Sequence, residues 1–179
     1  MAVSATEVYR HHPEDYSDIC AALFASGKDP FQSAGLKLVR DRLDSMKLNE
    51  LEGGAVIMAG SGMCTGGRIL HHLRHNLWKE NTSVIFVGFA AAGTLARRII
   101  DGARHVNVLG DDITVRARIH TINGFSAHAD QKELIAWQHG VGTKARTFIV
   151  HGEPTAMTAL AQRLDQPVTI PALHQSFEL

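Results

Sequence analysis

Three times in this chain a short, wholly apolar run ends in a glycine-bearing turn and opens into a helix-forming stretch. "GAVIMAG" (54–60) leads to "TGGRILHHLRHNL" (65–77), "SVIFVGF" (83–89) to "AGTLARRIIDGA" (92–103), and "ARTFIVHG" (145–152) to "EPTAMTALAQRL" (153–164). Unbroken Val, Ile and Phe suit a strand covered on both faces, as in parallel sheets. Their alternation with helices predicts an α/β fold, a mainly parallel β-sheet with flanking helices. Ligands of such sheets sit at the carboxyl ends of the strands. The turns at 60–62, at 88–93 and at His151 fall at such ends, and His128 lies just past a further run.

The remaining chain divides readily. Residues 4–24 read as helical pieces, with Ser4 and Glu7 at capping-box spacing and Pro13 as an interruption. Residues 25–31 read as a loop, and 33–51 as helical spacing broken near its middle. Strands are predicted over 105–110, 114–122 and 167–171, and a helix over 129–140. Gly102 closes the helix before it. Asp130 and Glu133 have the spacing of an N-cap and its reciprocal partner, which accounts for Asp130 without catalysis.

Composition narrows the function. With 45% hydrophobic residues among 179, a core can form. Lys+Arg and Asp+Glu both number 18, so no overall basic field attracts nucleic acid, and any such contact needs a local patch. Cys20 and Cys64 have neither metal-type spacing nor a disulfide framework, which suits a reducing, cytoplasmic setting. No apolar run is long enough to span a bilayer, so no membrane partner is expected. The first residues lack the pattern of a signal peptide.

Each candidate site has a plainer rival. "AGSGMCTGGR" (59–68) carries four glycines, the hydroxyls of Ser61 and Thr65, and Arg68. At a helix N-terminus these could hold an anion, or could simply make a tight turn. His71 and His75 are four apart on one helix, but no carboxylate or thiolate is adjacent, so a solvated or RNA-facing surface fits better. Arg97, Arg98 and Arg104 fit either an amphipathic helix or a phosphate-contact surface. Ser126 fits a turn. His128 sits between two alanines on a turn, where packing asks for no imidazole; its reference pKa of ~6.5 suits proton transfer. His151 ends an apolar run before a glycine, but one imidazole makes no zinc site, which needs three or four protein ligands. The chain contains no H-x-H-x-D-H, no H-E-x-x-H and no cysteine pair.

Taken together, "VIMAGSGMCTGGRILHHL", "VGFAAAGTLARRIIDGA", "INGFSAHADQKEL" and "IVHGEP", in this order and at these separations, resemble the β-CASP branch of the metallo-β-lactamase superfamily, RNA-processing zinc nucleases. The resemblance covers nearly the whole chain. It implies that residues 1–110 are the later part of a Rossmann-like β-CASP domain. It implies that 111–179 are the C-terminal strands and helices of a metallo-β-lactamase αββα domain. Met1 then looks like an internal methionine, with an N-terminal metallo-β-lactamase half, bearing H-x-H-x-D-H, missing. The motif "GFAAAGTLARR" departs from the family's usual tyrosine-glutamine and glycine, which bears on substrate preference.

By this resemblance, His151 corresponds to a zinc ligand. His128 corresponds to a general acid or phosphate contact, and Ser126 to a phosphate contact. Ser61, Gly62, Arg68, Gly93, Thr94 and Arg97 would line the face toward RNA. The family chemistry uses two zinc ions to ionise a water for in-line attack on the phosphodiester, with His128 protonating the leaving 3′-oxygen. RNA is the implied partner, and a homodimer is admitted. An isolated chain lacking most ligands is expected to be inactive. The rivals are a non-catalytic RNA-binding or assembly module of β-CASP type, and a small nucleotide-binding domain using the "GSG" turn.

Overall fold

A computed structural model describes residues 2–125, 128–141 and 145–178. Helices α1 (Ala2–His11) and α2 (Asp18–Ala25) flank a 3-10 turn at Pro13–Asp15. Pro13 interrupts the helix as expected, having no amide hydrogen to continue it. Ser4 lies inside α1, so it is not the cap that its spacing with Glu7 suggests. Tyr9, Tyr16, Phe24 and Phe31 gather into a small aromatic cluster, with the Tyr16 and Phe24 rings stacked 5.1 Å apart.

Helix α3 (Arg42–Lys47) is capped by Asp41, which accepts from the Asp44 amide at 2.8 Å, and continues as a 3-10 turn at Leu48–Glu50. The helix expected over 33–51 is confined to this second part. Gly35 has φ +84°, and the carbonyls of Val39 and Arg40 accept from the Arg68 guanidinium. A helix through 35–40 would need those groups for its own ladder. Residues 55–59 form no ladder, and Val56 and Met58 are 86% and 77% exposed. A strand is defined by a hydrogen-bonded neighbour, and among the described residues this run has none.

The centre of the molecule comprises α4 (Ile69–Asn76), β1 (Ser83–Val87), α5 (Leu95–Ile100), β2 (His105–Val108), β3 (Asp111–Thr114) and β4 (Arg118–Ile122). β1 pairs in parallel with β4, from Ser83 opposite Arg118 to Val87 opposite Ile122. β2 and β3 form an antiparallel hairpin. Its two turn residues, Leu109 and Gly110, have φ +56° and +92°, the signs a type I′ turn requires. The run 114–122 therefore divides: its start belongs to the hairpin and its end to the parallel pair.

Helix α6 (Gln131–Val141), β5 (Thr147–Phe148), α7 (Pro154–Ala161) and β6 (Val168–Thr169) complete the chain, with β5 and β6 parallel. The α/β class holds. Parallel pairing appears in two of three strand pairs, but the described strands make three two-stranded sheets and not one continuous sheet. Leu77, Ile99, Val106 and Val108 are fully buried and anchor a core that also takes in Leu73, Phe86, Ala90 and Ala96. Among the described residues no helix is long and apolar enough to cross a membrane.

One buried polar network secures α4. The Nδ1 of His72 donates to Asn49 Oδ1 at 2.9 Å, which leaves Nε2 to accept from the Ser45 hydroxyl at 3.2 Å. Burial pushes the His72 pKa below the usual histidine value, and His71, His75 and Arg68 add in the same direction. The unfolded chain then binds this proton more readily than the folded one. Its contribution to stability is present above pH ~6.5 and is lost as pH falls toward the lower folded value. Replacing His72 with glutamine is expected to flatten that part of the stability-against-pH curve, measured by urea unfolding between pH 5 and 7. Parallel curves for the two proteins would refute the assignment.

Candidate functional site

Two histidines stand on turns that follow strands. His128 lies between β4 and α6 and is exposed. Ser126 lies outside the described residues. His151 follows β5, is exposed, and has φ +62°, a conformation few side chains adopt. Its neighbour Gly152 packs closely, since a Cβ there would lie 2.7 Å from Met157 Cγ in α7 and the Met157 side chain would have to shift. Neither imidazole is sealed in the interior.

The capping box before α6 is present in full. Asp130 Oδ1 accepts from the Glu133 amide at 2.9 Å, and Glu133 Oε2 accepts from the Asp130 amide at 2.7 Å. Both carboxylates serve the helix start.

The glycine turn before α4 folds back on itself. Ser61 Oγ accepts from the Thr65 amide at 3.3 Å, and Gly62 is exposed. Gly67 has φ +82°, and a Cβ there would stand 2.5 Å from the Gly60 carbonyl oxygen. Arg68 is engaged by backbone: it donates to Val39 O at 2.9 Å and also to Arg40 O. Cys64 is buried, and burial raises its thiol pKa, so it is not a ready thiolate.

The second glycine turn is similarly occupied. Gly93 has φ +78°. Thr94 caps α5, accepting from the Arg97 amide at 3.2 Å and donating to Ala91 O at 2.7 Å. Arg97 donates from Nε to both Asp101 oxygens at 3.0 Å and pairs again through Nη2. That pairing holds the Asp101 carboxyl below the usual carboxylate range. A contact not foreseen in the sequence spans 61 residues: the Ala92 amide donates to Glu153 Oε1 at 3.0 Å, joining this turn to the one that carries His151. No spacing signal marks such a pair, because the two residues meet only through the fold.

At the carboxyl end of the β1–β4 pair lies a cleft of about 430 Å³, lined among others by Phe89, Arg97, Ile100, Thr121 and Asn123. Zinc needs at least three protein donors drawn together. Among the described residues, one such cluster occurs, at exposed His12, Glu14 and Asp15, and it includes neither His128 nor His151. These residues alone do not make a zinc site at His151, which can offer one imidazole.

A parallel-paired α/β fold, with chemistry-bearing turns after its strands, meets independent evidence of kinship. Residues 1–99 match the Beta-Casp domain family, and residues 112–173 match the Zn-dependent metallo-hydrolase RNA specificity domain. The chain belongs to the β-CASP family of the metallo-β-lactamase superfamily, whose members include metal-dependent ribonucleases. Ribonuclease TTHA0252 of Thermus thermophilus is 40% identical over 164 residues, covering 92% of this chain and 37% of its own length. Transcription termination factors FttA of Pyrococcus horikoshii and Methanocaldococcus jannaschii are 34% and 32% identical, over 90% and 86% of this chain. The chain spans 26% and 25% of those two proteins.

Proposed function

We propose that this chain is the C-terminal portion of a zinc-dependent ribonuclease that hydrolyses RNA phosphodiester bonds. On this reading residues 1–110 are the later part of a Rossmann-like β-CASP domain, and 111–179 the C-terminal part of a metallo-β-lactamase αββα domain. The observation that carries it is the pair of family matches in sequence, 1–99 and 112–173, with His128 and His151 both in the second and both exposed on turns after strands.

His128 protonates the leaving 3′-oxygen or grips the scissile phosphate, with Ser126 contributing a hydroxyl. An imidazole titrates near neutral pH and is suited to that transfer. His151 offers one ligand to a zinc ion; the remaining ligands come from an N-terminal metallo-β-lactamase half. The RNA face comprises the turns carrying Ser61, Gly62 and Gly93, with Arg68, Thr94 and Arg97 holding their shape. Exposed Val56, Met58, Phe125 and Trp137 support association with that half or in a homodimer. A cytoplasmic setting is proposed with the RNA substrate.

The chain by itself is expected to bind fewer than two zinc ions and to leave a labelled RNA uncut. Atomic absorption on the purified chain, with an RNA cleavage gel, tests this. Two tightly held zinc ions per chain together with turnover would overturn it.

A further inference from the structure

We propose that the cleft at the end of β1 and β4 receives one unstacked nucleobase, with Phe89 as its stacking platform and Asn123 as the amide that meets its edge. The inference rests on the RNA reading above and assigns a function to a side chain that reading does not use.

Phe89 is 66% exposed, although Ala90 immediately after it is 3% exposed; Val87, two residues before, is 58% exposed. A phenyl ring thus stands outward directly before a residue of the core, Ala90. The backbone that carries it is pinned from three directions. Gly88 donates its amide to Ile122 O at 2.9 Å, Ala91 to Met63 Sδ at 3.2 Å, and Ala92 to Glu153 Oε1 at 3.0 Å. A platform fixed in this way loses little freedom when a ligand arrives.

Charge decides which part of an RNA fits. Arg97 lines the cleft, but its guanidinium is engaged by Asp101, and the Glu153 carboxylate also acts on it. A cation already paired with Asp101, with a second negative charge at Glu153 acting on it, favours a phosphate less. A neutral, planar base meets no such penalty. Phe89 and Ile100 offer it apolar surface, and Thr121 and Asn123 offer hydrogen-bonding groups for its edge. Stacking on an aromatic side chain tolerates any base, since every base has a π-face.

The test is fluorescence anisotropy on the chain with two labelled strands of equal length, an oligoadenylate and an abasic ribose-phosphate. Phe89→Ala is expected to weaken oligoadenylate binding by about 5- to 150-fold. It should leave the abasic strand bound as in the wild type, and Phe89→Trp should restore the oligoadenylate. Unchanged oligoadenylate binding by Phe89→Ala, or equal weakening of both strands, overturns the stacking role while leaving the RNA reading intact. A wild-type chain that binds neither strand overturns both.

Discussion

Replacing His128 with alanine is expected to slow RNA cleavage by about 10²- to 10⁴-fold, the usual span for a lost general acid. The assay requires the polypeptide that completes the metal site, since His151 supplies at most one ligand here. His128 is exposed on the turn before α6, and the two carboxylates nearest in sequence, Asp130 and Glu133, are tied to the helix start. The loss should fall mainly on the chemical step, with RNA binding altered much less. A change of less than a few-fold would leave His128 a structural residue and favour a non-catalytic RNA-binding module.

Replacing Gly67 with alanine should cost about 2–6 kcal/mol of stability. One part is the left-handed backbone, where a side chain is strained by roughly 1–3 kcal/mol. The other is the contact: the new Cβ would stand 2.5 Å from a backbone oxygen, that of Gly60. A carbonyl in a closed turn cannot swing aside as a long side chain can, and forced overpacking costs roughly 1–3 kcal/mol more. Relief would require opening the turn that leads into α4, the helix whose Leu73 lies in the core along with nearby Leu77. Urea unfolding measures the effect. A midpoint close to that of the wild type would show that the turn yields freely.

Much of the local structure was legible because its causes are local. Alternating apolar runs and helix-forming stretches marked β1 and helices α4 to α7. Pro154 at the first position of α7, Gly102 after α5, and the Asp130–Glu133 box each act through backbone groups within a few residues. His128 stood out because packing on its turn did not ask for an imidazole, and His151 because it ends an apolar run before a glycine.

Other features depended on groups distant in sequence. The apolar run at 55–59 has the composition of a buried strand, yet a segment becomes a strand only beside a hydrogen-bonded partner. The segment 114–122 reads as one strand, but its first residue pairs backward across the Leu109–Gly110 turn and its end pairs in parallel with β1. Arg68 and Arg97 looked alike as phosphate ligands, until tertiary contacts gave one to backbone carbonyls and the other to Asp101.

The sequence by itself determined the α/β class, several helix ends, such as those at Asp130, Pro154 and Gly102, and the chemical groups available, because propensity, capping and glycine turns act over a few residues. Only the tertiary structure decided which strands pair, which cations remain available for a ligand, and that Glu153 meets the turn beside Phe89. Those outcomes depend on hydrogen bonds and charges brought together across tens of residues, and no short spacing encodes them.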